Sequence, residues 1–230
     1  MGNTSTRDKS VPYHVSLARD ISALLSHLYP TDAFDALYLS GGSYGTVPAQ
    51  MLYGAPYELF PAGRKIVGCL LLSGFSPVKY HAGYVGTLSW QNWFSFGPPM
   101  QLIPFHLLQW FFRGIVGSSM KSQDGAEEFL RKCIFGKMDS AERIKFEEWL
   151  GIEGLSEDVF VANMAGEVIR CNGNWDGFME VADVMHSDWG FEPKELDEEH
   201  AVKPVLVVGS SVDYIGGSCN GLWRIIGLLG

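Results

Sequence analysis

Apolar residues recur along the chain in two rhythms, and the change between them marks the elements. From Val15 to Leu28 they fall at Leu17, Ile21, Leu24, Leu25 and Leu28, the spacing of one helix face. Tyr29-Pro30-Thr31-Asp32 then reads as a turn. The run Phe34-Asp35-Ala36-Leu37-Tyr38-Leu39 predicts a strand. It ends in Ser40-Gly41-Gly42-Ser43-Tyr44-Gly45-Thr46, and a helix is predicted from Tyr44 to Tyr53. Pro48 falls in that helix's first turns, where it removes a donor and predicts a slightly distorted start. Ile66-Val67-Gly68-Cys69-Leu70-Leu71-Leu72-Ser73 is apolar without alternation, which predicts a strand buried on both faces. Strand, helix and strand at this spacing form a βαβ unit, so the two strands are expected to be parallel. Pro204-Val205-Leu206-Val207-Val208-Gly209 reads as a further buried strand, with Asp213 in the Ser/Gly-rich loop after it.

Between these strands the pattern is helical or aromatic. From Lys79 to about Val116, Trp90, Trp93, Phe94, Phe96, Phe105, Trp110, Phe111 and Phe112 crowd together, interrupted by Pro98, Pro99 and Pro104. Three readings fit: a subdomain packed on a core, a lid whose aromatic face lines an acyl or aromatic pocket, and a membrane-surface patch. Asp124 can cap a helix running to Ile134. Asp139-Ser140-Ala141-Glu142 has the form of a capping box opening a helix to Leu150, and Ser156 can cap Glu157 to Ile169. A helix from Asn174 or Trp175 to His186 follows, then an acidic, loop-like stretch from Glu192 to Glu199.

The candidate chemistry lies at the first strand-to-helix junction. Gly41, Ser43 and Gly45 form a G-x-S-x-G pattern, which either marks a nucleophile elbow or belongs to an ordinary Gly/Ser turn. In an elbow the serine sits at the apex of a sharp turn in a strained backbone region. Side chains at the flanking glycine positions would collide, and the helix directs its free amides at the reaction centre.

Composition narrows the classes. The net charge of −9 and the lack of a basic patch argue against a nucleic-acid surface. Cys69, Cys133, Cys171 and Cys219 lack C-x-x-C spacing, which fits reduced thiols and a cytoplasmic protein. No metal or other cofactor is expected, and the longest apolar run carries His106 and Arg113 and is too short to span a membrane. Met1-Gly2-Asn3-Thr4-Ser5-Thr6 matches a myristoylation pattern and equally reads as a frayed polar terminus.

Gly41-Gly42-Ser43-Tyr44-Gly45 resembles the elbow of the α/β-hydrolase serine enzymes, especially the proline iminopeptidase-like branch. Ser187-Asp188-Trp189-Gly190-Phe191 ahead of the Pro204–Gly209 run is similar to the stretch those enzymes place before strand seven. The resemblance implies a partial α/β-hydrolase fold: a short parallel sheet with an inserted helical cap. Residues 1–78 and 187–230 would form an incomplete core, and 79–186 the cap. It implies cleavage of an ester, thioester or amide bond through a seryl intermediate, on a small apolar, acyl or peptide substrate. Ser43 would be the nucleophile, the Tyr44 amide an oxyanion donor and Asp213 the acid. The family's histidine has no counterpart, because none follows His200. The strands that would precede the first helix have none either. The chain therefore reads as truncated at both ends, with activity impaired, and a non-catalytic module binding a ligand or partner is the competing reading. Oligomeric state is left open.

Overall fold

The computed structural model of the protein describes residues 6–81, 83–88, 90, 93–94, 97–99, 107–173 and 175–209. The chain divides into two units: 1–6 with 103–180, and 7–102 with 181–230.

The second of these units carries the sheet. Strands β1 (Leu37–Gly42), β2 (Ile66–Leu72) and β3 (Val205–Val208) pair in parallel in the order β1-β2-β3. This is a mixed α/β arrangement on a short open sheet, with β1 at one edge. Helix α1 (Tyr13–Leu28) brings Leu17, Ile21 and Leu25 against Leu39, Cys69 and Leu71. Helix α2 (Thr46–Tyr53) adds Ala49, Leu52 and Tyr53 to the same cluster. Each large aliphatic side chain buried there contributes roughly 1.5–3 kcal/mol.

The expectation that β2 is buried on both faces fails among the described residues. Ile66, Cys69 and Leu71 are buried, whereas Val67 and Leu72 are exposed, as are Tyr38, Leu206 and Val208. Both covering helices lie on one face, so the alternation in burial comes from packing and not from the sequence, which is apolar throughout.

Below the sheet, a polar anchor sets β3 beside β2. The Tyr53 hydroxyl donates to the carbonyls of His200 (2.8 Å) and Lys203 (2.9 Å). His200 is buried, stacks on Tyr57 at 4.2 Å, and bonds Asp197 Oδ1 through Nδ1 (2.7 Å) and the Ala55 carbonyl through Nε2 (3.2 Å). Burial pushes the Tyr53 hydroxyl up to about 12, so it remains a neutral donor across the physiological range. The stretch expected to be loop, Glu192–Glu199, instead holds a 3₁₀ turn at Pro193–Glu195 and opens a short helix, α9 (Glu198–Ala201). Asp197 caps α9 by accepting from the His200 amide. Asp197 thus serves both the amide and the ring of one residue, which the composition of the stretch conceals.

A second cluster in this unit gathers Val47, Met51, Phe75, Tyr84 and Trp189 with Val184 and Met185 of helix α8 (Val181–His186). The loop after α8 is tied down by Asp188. It accepts from Lys79 Nζ (2.6 Å), the Tyr80 hydroxyl (3.2 Å) and the Gly190 amide (2.8 Å).

The other unit is helical: α3 (Leu107–Ser119), α4 (Gln123–Cys133), α5 (Ser140–Glu153), α6 (Glu157–Cys171) and α7 (Asp176–Met179). Its core joins Ala126 and Leu130 of α4 to Val161 and Ala165 of α6, with Met120 and Phe135. The Asp139–Glu142 capping box forms as the sequence predicts, and Ser156 caps α6. The cap of α4 is Ser122 and not Asp124: the serine hydroxyl accepts from the Gly125 amide at 3.2 Å, placing Asp124 inside the first turn. The helix expected up to His186 divides into α7 and α8. No helix among the described residues is long and apolar enough to cross a membrane.

Candidate functional site

Ser43 stands where β1 ends. Gly42 is the strand's last residue, Ser43–Gly45 form one 3₁₀ turn, and α2 begins at Thr46. The helix therefore starts two residues later than the sequence predicts, with the tighter turn at its head. Pro48 falls within α2's first turn, where amides have no intrahelical partner, so its missing donor is harmless. Ser43 is exposed and has φ 49°, in the left-handed region. A non-glycine residue there is strained, by roughly 1–2 kcal/mol, and the strain projects the side chain out of the corner.

The two elbow glycines are not equivalent. A Cβ on Gly41 would lie 2.3 Å from the Gly45 carbonyl oxygen and 2.8 Å from the Thr46 Cα, so only glycine fits. A Cβ on Gly45 would meet nothing within 4 Å among the described residues, and Gly45 has φ −61°. Crowding thus explains Gly41 and does not explain Gly45, correcting the symmetric expectation. The turn closes over the strand side, so only the residue on that side faces a wall.

Tyr44 follows Ser43 in the turn, and its ring packs at the edge of the Val47 and Met51 cluster. Its amide shares a peptide plane with the Ser43 carbonyl, which accepts from Thr46 Oγ1 at 2.7 Å. Thr46 is fully buried, and the same hydroxyl oxygen accepts from the Phe75 amide at 3.0 Å. Gln50 Nε2 donates to the Thr46 carbonyl (3.0 Å) and the Phe75 carbonyl (2.9 Å). These bonds fasten the β1 corner to the loop after β2, a feature the sequence analysis did not find.

The register sets which residues share the rim. Gly42 pairs with Leu72, and Leu72 with Val208, so all three strands end together. The Ser73 amide donates to the Val208 carbonyl at 2.7 Å. The chain therefore leaves β3 at the rim where Ser43 stands. Asp213 lies outside the described residues.

Ring bonds are defined for His14, His81 and His200. His14 Nδ1 contacts the Asp188 carbonyl (3.0 Å), and His81 Nδ1 contacts the buried Ser76 hydroxyl (2.6 Å). His200 uses both nitrogens and precedes β3, at the end of the parallel sheet opposite Ser43. No three His, Cys, Asp or Glu side chains among the described residues converge as a metal site.

The helical unit has a cleft of its own, about 340 Å³, lined by Trp110, Arg113, Gly114, Gly117, Lys121 and Trp175. Arg113 lies over the Trp110 ring at 4.8 Å. Leu107, Trp110, Phe111 and Ile115 are exposed along one stripe of α3. Phe96 and Phe105 lie outside the described residues.

No protein-family model matches the chain, and no curated protein or solved structure matches it either.

Proposed function

We propose that the chain is a serine hydrolase of α/β-hydrolase type, with Ser43 as nucleophile, attacking an ester, thioester or amide carbonyl. The observation that carries this reading is the backbone of Ser43: a non-glycine residue at φ 49°, between the end of a parallel strand and the start of a helix, beside a Gly41 that admits no side chain. A Gly/Ser turn of the ordinary kind needs neither the strain nor the crowding. In this reading the Tyr44 amide donates to the developing oxyanion, worth on the order of 3 kcal/mol in such sites. Asp213, five residues after Val208 in the sequence, is assigned the acid. The substrate in this reading is a small apolar, acyl or peptide compound.

Serine hydroxyls need a base to take the proton. A second reading keeps the corner in a non-catalytic binding protein, and the position of His200 favours it: the ring is buried, bonded through both nitrogens, and lies at the end of the sheet opposite Ser43. Incubation of the full chain with a fluorophosphonate probe, and separately with p-nitrophenyl esters, distinguishes the two. The hydrolase reading expects labelling and turnover that vanish in Ser43→Ala. Equal signals from both proteins overturn it.

A further inference from the structure

We infer that Thr46 is a positioning residue that aims the Tyr44 amide, an inference resting on the reading of Ser43 as nucleophile. The Ser43 carbonyl and the Tyr44 N–H belong to one rigid peptide unit and point in opposite directions. Whatever holds the carbonyl therefore directs the amide. Thr46 Oγ1 donates to that carbonyl at 2.7 Å.

A threonine bonding a carbonyl three residues back is common in the first turn of a helix and by itself means little. Here the hydroxyl is also the acceptor for the Phe75 amide, 29 positions away in sequence, so both its proton and a lone pair are committed. Gln50 runs a parallel bridge from the Thr46 carbonyl to the Phe75 carbonyl. Gly74 permits the approach: a Cβ there would lie 3.2 Å from Thr46 Cγ2. The peptide plane at the corner is thus referenced to the loop after β2, and not merely to its own helix. This tie is what allows Ser43 to remain in the left-handed region, since a strained residue persists only where its surroundings over-determine it. Without the hydroxyl the Ser43 peptide is released, and the donor leaves the position at which oxyanion charge would develop.

The test measures the rate of fluorophosphonate labelling of the full chain, with hydrogen exchange at the Phe75 amide read in parallel. Thr46→Val is expected to slow labelling by about tenfold or more, short of the roughly 10²–10³-fold that outright loss of an oxyanion donor costs. It should also release Phe75 to exchange. Thr46→Ser, which keeps the hydroxyl, is expected to restore both to near wild-type values. Where ester turnover is measurable, the loss in Thr46→Val falls on kcat with KM unchanged. Labelling of Thr46→Val at the wild-type rate, with Ser43→Ala unlabelled, overturns the role of Thr46 and leaves the nucleophile in place. Absence of Ser43-dependent labelling in the wild type overturns both. Should Thr46→Val not fold, Thr46→Ala removes the same hydroxyl, and labelling there at the wild-type rate overturns the inference equally.

Discussion

Ser43 and Ser73 occupy equivalent positions on neighbouring strands. Each is the first residue past its strand, each is exposed, and each has positive φ, 49° and 45°. Because Gly42 and Leu72 are paired in register, the two serines stand about one strand spacing apart, ~5 Å, along one rim. Asp32 is the only other non-glycine residue with positive φ among the described residues. The two strained corners stand side by side, and Thr46 joins the first to Phe75, two residues past the second.

Glycine at position 43 should be more stable than alanine there. Both substitutions remove the hydroxyl, but only glycine tolerates φ 49° without strain. The relief is partly offset by glycine's greater freedom when unfolded. Urea denaturation is expected to place Ser43→Gly above Ser43→Ala by about 1 kcal/mol. Equal stability would mean that the corner is not strained.

Gly41→Ala and Gly45→Ala should separate sharply. The first drives a methyl into the Gly45 carbonyl and the Thr46 backbone, costing about 2–4 kcal/mol and distorting the corner. The second adds a methyl to open space at an ordinary helical φ and should change stability by less than about 1 kcal/mol. Denaturation midpoints of the two variants decide it; similar losses would contradict the asymmetry.

The Asp188 anchor should make stability sensitive to acid. The Lys79 ammonium, then the Gly190 amide, with a smaller share from the Tyr80 hydroxyl, hold the Asp188 carboxyl at about 2. Its unfolded value is near 3.9. The folded value is the lower one, so this contribution is fully present above about pH 4 and is lost as the pH falls toward 2. Lys79 and Asp188 are substantially exposed, which limits the pair to about 1 kcal/mol or less. The stability gap between wild type and Asp188→Asn, measured in urea at steps from pH 7 to pH 2.5, should narrow below pH 4. A gap independent of pH would exclude the ion pair as its source.

Cysteine reactivity should follow burial. Cys69 is buried in β2, and burial pushes its thiol up to about 11, whereas Cys171 is exposed on α6. Only thiolate reacts readily. Brief treatment with N-ethylmaleimide followed by peptide mass spectrometry should find Cys171 modified and Cys69 untouched until denaturant is added. Early modification of Cys69 would show that the core face of the sheet opens readily.

The sequence alone determined the features that rest on neighbours along the chain. The three strands and the helices α1, α2, α4, α5 and α6 are legible in hydrophobic spacing, whereas α3 is not, because Leu107 to Ser119 lies mostly in the aromatic stretch that carries no single rhythm. The caps at Asp139 and Ser156 are legible because capping is a contact between residues three apart, and the position of Ser43 is legible because a strand, a glycine pair and a helix follow one another. Tertiary structure decided whatever depends on residues distant in sequence. Among the described residues it left Val67 and Leu72 of β2 exposed, because α1 and α2 both pack on the other face, and it required glycine at position 41 but not at 45. It also joined Thr46 to Phe75 and brought the ends of β1, β2 and β3 to one rim. Those outcomes come from register and packing, and a one-dimensional pattern carries no term for contacts of that kind.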